Sequence, residues 1–229
     1  MFKVSGLVSG YGQSEVIHRV DLSAAAGEIV AVMGRNGMGK TTLFKSLMGI
    51  LPCRSGLVEV DGVDVAGLPS YERVARGIAY VPQGRMIFST LTVLENIRAA
   101  LPKSAQGKVS DEVFALFPVL YDMQHRKGGN LSGGQQQPLA IARALVTNPK
   151  VLLLDEPTEG IQPSIIKDIA RSLKEIRTLK HLTIIVSEQV LSFTMEIADR
   201  LLVIEKGQFV HENRRDEVDI AKVSSYLSV

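Results

Sequence analysis

Short apolar runs recur along the chain, and most have the length of a β-strand. Between them lie stretches in which apolar residues recur every three or four positions, as in Leu43, Phe44 and Leu47. Such alternation of strands and helices favours an α/β fold, with a mainly parallel sheet covered on both faces. The predicted strands are Phe2–Ser9, Val16–Ala25, Glu28–Met33, Gly56–Val60, Ile78–Val81, Val151–Leu154, Thr183–Val186 and Leu201–Ile204. The predicted helices begin at Lys40 or cover Thr92–Ala100, Ser110–Phe117, Gly133–Val146 and Ile165–Leu179.

Residues from about 84 to 147 differ from the rest, because they hold three predicted helices and no convincing strand. We interpret them as a helical insert in an α/β core that comprises about residues 1–83 and 148–229. The chain, 1–229, is thus expected to be one domain of ordinary globular composition, with 45% hydrophobic and 22% charged residues.

Charge and composition exclude several classes of protein. The 26 basic and 24 acidic residues leave a net charge of +2, which gives no electrostatic reason to expect nucleic acid as a ligand. The basic segment 211–215 is expected to be a solvated loop. Cys53 is the only cysteine, so no internal disulfide can form. No signal peptide or membrane-spanning run is evident, so we expect a soluble protein that reaches a membrane only through a partner.

A glycine-rich loop follows the third predicted strand and fits the pattern G-x-x-x-x-G-K-[ST] at every fixed position. Backbone N–H groups of such a loop converge on phosphate oxygens, and the next helix points its N-terminus at the same charge. Lys40 is expected to reach the β- and γ-phosphates of ATP, and the Thr41 hydroxyl to bind Mg²⁺. An accidental glycine turn is the alternative. The residues predicted to hold the nucleotide are Gly34, Arg35, Asn36, Gly37, Met38, Gly39, Lys40, Thr41 and Thr42.

Two acids end the apolar strand Val151–Leu154, at the sheet edge where α/β proteins bind ligands. Asp155 is predicted to hold Mg²⁺, directly or through water. Glu156 is predicted to orient and polarise the attacking water. The alternative is a solvated acidic pair at a strand end.

Leu131-Ser132-Gly133-Gly134-Gln135 stands between these elements, and this pentapeptide resembles the signature of ATP-binding-cassette (ABC) ATPases. Gln83 and Asp155-Glu156-Pro157-Thr158 match the same family in order and spacing, over essentially the whole chain. The resemblance implies a P-loop ATPase core, an N-terminal antiparallel β subdomain and a helical subdomain. It also implies that the signature contacts the γ-phosphate held by a second, similar chain, with residues Ser132, Gly133, Gly134 and Gln135.

The resemblance assigns further roles by position. Tyr11, in an expected turn at residues 10–12, resembles the aromatic residue that stacks on adenine; a core-packed turn tyrosine is the alternative. Gln83 resembles the glutamine that contacts Mg²⁺ and the attacking water, while its loop contacts a membrane subunit. The alternative is a surface glutamine in a loop, without a role in the site.

Two departures from the family pattern affect the expected activity. Gln189 aligns with the usual histidine near the γ-phosphate; it can donate a hydrogen bond but lacks imidazole's proton chemistry. Pro138 lies inside the predicted signature helix, where it should loosen or bend the second turn.

The segment around Gln189 resembles one ATPase subunit of importers for branched-chain amino acids, amides and urea. The segments 80–88, 131–137 and 155–163 favour urea or a short amide, with branched-chain amino acids second. The implied partners are a second ATPase, not identical or else a copy of this chain, two membrane permeases and, indirectly, a periplasmic solute-binding protein. The implied location is the cytoplasmic face of the inner membrane. A soluble ABC protein of translation or DNA repair, and a binding-only cassette, remain as alternatives.

Overall fold

The computed structural model describes residues 1–227. The strands are β1 Phe2–Tyr11, β2 Ser14–Ala24, β3 Ile29–Met33, β4 Cys53–Val60, β5 Val63–Asp64, β6 Ile78–Val81, β7 Val151–Asp155, β8 Thr183–Glu188, β9 Arg200–Glu205 and β10 Gln208–Arg214. The α-helices are α1 Lys40–Leu47, α2 Ser70–Ala75, α3 Val93–Arg98, α4 Asp111–Leu116, α5 Pro118–Asp122, α6 Gly133–Leu145, α7 Pro163–Lys180, α8 Leu191–Ile197 and α9 Ile220–Leu227. Short 3₁₀-helices cover Lys103–Ala105, Gly128–Asn130 and Arg215–Glu217.

The strands form two sheets. The smaller sheet has the order β2-β1-β4-β5, and all its pairs are antiparallel. The larger sheet has the order β10-β9-β3-β8-β7-β6, and only β10 runs antiparallel to its neighbour. The predicted α/β class, with a mainly parallel sheet and an N-terminal antiparallel sheet, is confirmed.

Strand β3 shows why the central strands are continuous apolar runs. Ile29, Ala31 and Met33 point to one hydrophobic core, whereas Val30 and Val32 point to a second core on the other face of the sheet. All five residues are fully buried. Since each buried Val or Ile side chain contributes about 1.5–3 kcal/mol, both faces of the sheet must be covered. Because β3, β8, β7 and β6 run parallel, the loops that leave their carboxyl ends lie at the same edge of the sheet.

Between Gln83 and β7 the described elements are helices, with one isolated bridge between Thr92 and Lys127. Helix α3 begins with a capping box, in which Thr92 and Glu95 each accept a hydrogen bond from the other's backbone N–H. These helices bury their apolar faces in the same core as one face of the large sheet.

Pro138 does not break the signature helix, because α6 runs without interruption through this residue. Proline at the sixth helical position removes one donor, for the carbonyl four residues earlier. Pro138 and the next four residues are buried, which offsets that loss. The Gln136 amide also donates to the Leu131 carbonyl at 3.1 Å and secures the first turn.

Two local expectations are wrong. Tyr11 is the last residue of β1, paired with Ser14, rather than part of the turn. The segment 211–215 is largely strand, because residues up to Arg214 pair with β9 as the edge of the large sheet. Alternate exposure along β10 explains why its sequence is too polar for a predicted core strand.

Candidate active site

The predicted phosphate-binding loop joins β3 to α1, and the structure shows why glycine occupies several of its positions. A Cβ atom at Gly34 would lie 2.6 Å from the carbonyl oxygen of Ile204, so only glycine fits there. Gly37 and Gly39 have φ angles of 81° and 109°, a region that favours glycine. No side chain caps the N-terminus of α1 at Gly39, which leaves its first N–H groups available to an anion.

Lys40 is nearly buried, and its ammonium group is held by three oxygens. It donates to the carbonyls of Gly34 at 2.6 Å and Arg35 at 3.0 Å. Its third partner is Glu156 Oε1 at 3.0 Å. The lysine side chain therefore lies across its own loop and contacts the predicted catalytic carboxylate.

A cavity of about 180 Å³ lies beside this loop. It combines backbone N–H groups, a buried cation and hydroxyl and carboxylate oxygens, the donor set that a Mg²⁺-bound polyphosphate requires. The lining residues are Val16, Asn36, Gly37, Gly39, Lys40, Thr41, Thr42, Gln83 and Glu156. All but Val16 were predicted as site residues.

Asp155 ends β7 and is almost completely buried. Its Oδ1 accepts a hydrogen bond from the Ser187 hydroxyl at 2.6 Å, and its Oδ2 accepts one from the Tyr80 hydroxyl at 3.1 Å. Burial raises the pKa of Asp155, and hydrogen bonds from Ser187, Thr41 and Tyr80 partly oppose that rise. Burial, with the nearby Asp155 charge, likewise raises the pKa of Tyr80.

The carboxylate of Asp155 and the hydroxyl of Thr41 are neighbours, as a shared Mg²⁺ site requires. Within residues 1–227, no group of three or more His, Cys, Asp or Glu side chains is arranged to hold a metal ion alone. Magnesium fits such a site because it usually takes one or two protein ligands and completes its shell with phosphate and water.

Glu156 is the meeting point of the predicted catalytic residues. Its Oε1 accepts a hydrogen bond from the Gln189 amide at 3.1 Å, and its Oε2 accepts one from the Gln83 amide at 3.4 Å. Its backbone has a φ of 47°, and its N–H donates to the carbonyl and hydroxyl of Ser187, both at 3.1 Å. The strained backbone and the two amides together fix the direction of the carboxylate.

Gln189 also connects the glycine-rich loop to Glu156. Its amide donates to Asn36 Oδ1 in the phosphate loop at 2.9 Å as well as to Glu156. The preceding residue, Glu188, is buried and accepts a hydrogen bond from the Thr158 hydroxyl at 2.6 Å. Burial raises the pKa of Glu188, although its hydrogen bonds oppose the rise.

Sequence reasoning missed several residues of the site. Tyr80 and Ser187 hold Asp155, Glu188 holds Thr158, and Val16 lines the cavity. One usable signal was position, because Tyr80 and Ser187 lie near the carboxyl ends of strands that flank β7.

The signature residues do not join this cavity. Ser132 is exposed at the start of α6, and its N–H donates to Gln135 Oε1 at 3.0 Å, so Gln135 caps its own helix. Gly133 and Gly134 occupy the first turn of α6, and neither lines the cavity. Tyr11, 47% exposed, also lies outside it.

A phosphate loop, a buried acid followed by a second acid, and a separate glycine-bearing helix start are thus arranged in one chain. A family model described as "ABC transporter" matches residues 17–159. The chain belongs to the ABC transporter family of ATPases. ABC ATPases bind ATP or ADP, generally with Mg²⁺, so the ABC assignment agrees with the donor set of the cavity.

Named relatives of this ABC ATPase include branched-chain amino acid transport proteins and lipopolysaccharide export proteins. The high-affinity branched-chain amino acid transport ATP-binding protein BraG of Pseudomonas aeruginosa is 39% identical over 203 residues, 87% of each chain. The probable branched-chain amino acid transport ATP-binding protein LivF of Archaeoglobus fulgidus is 36% identical, over 95% of this chain and 94% of its own. The lipopolysaccharide export system ATP-binding protein LptB of Escherichia coli K12 is 33% identical, over 93% of this chain and 90% of its own.

Among solved structures, the fold is similar to the dimeric post-hydrolysis state of the ATP-binding cassette MJ0796 bound to ADP and phosphate. The TM-score is 0.83 at 26% identity, over 94% of this chain and 99% of that chain. Cassettes of the ABC family work as dimers with membrane permeases. No helix within residues 1–227 has both the length and the apolar character needed to span a bilayer.

Proposed function

We propose that this chain hydrolyses ATP, as part of a pair of ATPases, to energise the import of branched-chain amino acids through a membrane permease. The observation that carries the proposal is the convergence of Gln83, Gln189 and Lys40 on Glu156, beside a cavity that the signature residues do not reach. One chain thus supplies the phosphate loop and the acids, and a partner's signature completes the site.

Each residue has a role that its contacts support. Lys40 exchanges Glu156 for the β- and γ-phosphates, which releases the carboxylate to act on water. Glu156 then orients and polarises the attacking water, and Gln83 and Gln189 hold the Glu156 carboxylate in place. Asp155 and Thr41, with Gln83 nearby, would hold Mg²⁺, which would supply positive charge to offset the charge that develops on the phosphates.

The membrane partner is proposed to dock in a groove of about 630 Å³ between the core and the helical insert. The groove is mostly apolar, which suits an amphipathic segment of a permease, and three cationic side chains are among its lining residues. Its walls include Met48, Ile50, Val74, Pro82, Met86, Ala100 and Ala140, with Lys45, Arg85 and Arg143. Docking there would place the chain on the cytoplasmic face of the inner membrane.

The paired ATPase is proposed to be a different subunit, because a glutamine at position 189 suggests chemically unequal sites; a homodimer is the alternative. Copurification after co-expression tests both proposals. We expect the tagged chain to sediment with membranes only when its permeases are present, and to bring down one copy of a second ATPase. The membrane role would be contradicted if the chain sedimented with membranes that lack the permeases, or if it failed to sediment with membranes that contain them.

Branched-chain amino acids are proposed as solute because BraG and LivF are named for them. Urea or a short amide is the second candidate, favoured by the segments 80–88, 131–137 and 155–163. Proteoliposomes that contain the assembled complex, its solute-binding protein and internal ATP decide between them. Uptake of labelled leucine but not urea is expected; the reverse result would select the second candidate.

A binding-only cassette is tested by Glu156→Gln in the assembled complex. We expect ATP turnover to fall by about a hundredfold or more, the usual contribution of a positioned general base, while ATP binding persists. The exposed Glu175 of α7 offers a matched control, Glu175→Gln, with unchanged turnover expected. Unchanged turnover in Glu156→Gln would place hydrolysis in the partner's site.

A further inference from the structure

Arg85 lies where three functional segments meet. Its Nε donates to Gln137 Oε1 in α6 at 3.2 Å, and its Nη2 donates to the Glu159 carbonyl at 2.7 Å. A Cβ atom on Gly133 would lie 3.3 Å from Arg85 Nη1, so the guanidinium packs against the signature glycine itself. One side chain thus connects its own loop to the signature helix and to the segment after Glu156.

The backbone around Arg85 is strained and is held in place by neighbouring side chains. Arg85 and Met86 are consecutive non-glycine residues with φ angles of 66° and 44°. Such conformations are unfavourable for residues with a Cβ atom and persist only where the surroundings enforce them. Arg143 supplies one restraint, because its guanidinium donates to the Met86 carbonyl at 2.8 Å and lies 4.7 Å from the Phe88 ring centre.

The same loop reaches both the groove and the catalytic carboxylate. Arg85 and Met86 line the groove, whereas Gln83 donates to Glu156 and, at 3.1 Å, to Glu159 Oε2. Glu159 is therefore held twice, through its side chain by Gln83 and through its carbonyl by Arg85. A shift of the groove wall would move these contacts together.

We propose that Arg85 is a positioning residue, which transmits occupancy of the groove to the signature helix and to the Glu156–Glu159 segment. A guanidinium suits this task because its rigid planar donors can satisfy two acceptors at fixed angles, which a lysine ammonium on a flexible stem does not. The side-chain hydrogen bonds of Arg85 go to neither the phosphate loop nor a residue that lines the cavity, so its action falls on turnover rather than on nucleotide affinity. The inference rests on the proposed function.

The first experiment needs only the isolated chain. In Arg85→Ala, we expect faster amide hydrogen exchange in residues 131–136 and 157–161, with MgADP affinity within about twofold of wild type. Arg126→Ala is the matched control, an exposed arginine of the same insert. Unchanged exchange at both segments in Arg85→Ala would overturn the inference, whatever the transporter imports.

The second experiment uses the assembled complex with solute-loaded binding protein. Arg85→Ala should lower kcat for ATP by roughly tenfold or more, the effect of one charge-assisted hydrogen bond that counts in the transition state, with KM within about twofold. Arg85→Lys should recover only part of that loss. Gln137→Ala should give a smaller loss that is not additive with Arg85→Ala, because both remove one connection. An active wild-type complex whose kcat is unaffected by Arg85→Ala would overturn the inference; a wild-type complex without ATPase activity would instead contradict the proposed function.

Discussion

The ion pair between Lys40 and Glu156 gives a quantitative test of the site. Their side chains are 3% and 6% exposed, and the charged atoms lie 3.0 Å apart. Removal of one partner from a buried pair costs about 3–5 kcal/mol, because the other charge remains buried. Glu156 keeps amide hydrogen bonds from Gln83 and Gln189, so we expect Lys40→Met to fall near the lower end, at about 3 kcal/mol.

A double-mutant cycle with Lys40→Met and Glu156→Gln isolates the pair. Lys40→Met also leaves the carbonyls of Gly34 and Arg35 without their donor. That cost is present in both the single and the double variant, so it cancels from the coupling energy. We expect a coupling energy of at least about 2 kcal/mol, measured by urea unfolding of the isolated chain without nucleotide.

An exposed ion pair provides the matched control. Lys174 and Glu196 lie 3.2 Å apart, but each side chain is 41% exposed. The same cycle on this pair should give less than about 1 kcal/mol and should weaken further in high salt. A coupling energy for Lys40 and Glu156 no larger than that of the control would refute a stabilising ion pair between the lysine and the proposed catalytic carboxylate.

Three further predictions concern neighbouring residues. Gly34→Ala should weaken MgADP binding in calorimetry and cost about 1–3 kcal/mol in urea unfolding, because the new methyl group meets a carbonyl 2.6 Å away; Gly67→Ala, where space is open, should change neither. Ser187→Ala should lower the affinity for MgADP roughly tenfold but leave ADP without metal unchanged, because it removes the hydrogen bond that orients Asp155; equal losses would contradict this. Burial raises the pKa of Glu188 above its ordinary value of 4.5. Between the ordinary pKa and the raised one, the folded state therefore binds more protons than the unfolded chain, and the free energy of unfolding should fall as pH rises through that range. In Glu188→Gln this component should vanish from unfolding curves recorded across that pH range; an identical pH dependence would refute it.

The phosphate loop could be predicted because its chemistry is local. Eight consecutive residues contain the glycines, the lysine and the threonine, and their conformation follows from the strand before and the helix after. The acids at 155 and 156 are also local, since they simply end a buried strand. The order of β3, β8, β7 and β6 is not local, and that order brings Gln189 to Asn36, 153 positions away in the chain.

Pro138 shows a different limit of prediction from sequence. It removes one backbone donor, yet α6 continues through it and the residues that follow are buried. Local preference could not reveal this compensation, because burial depends on segments distant in the chain.

Sequence alone thus determined the α/β class and the family, and it predicted the phosphate loop and the acids, because each follows from short local patterns and their order along the chain. Tertiary structure decided that Ser187 and Tyr80 hold Asp155, that Glu156 receives Lys40, Gln83 and Gln189, and that Arg85 bridges three segments. The physical reason is that parallel strands adjacent in the sheet are far apart in the chain. Only their order places those side chains within hydrogen-bonding distance.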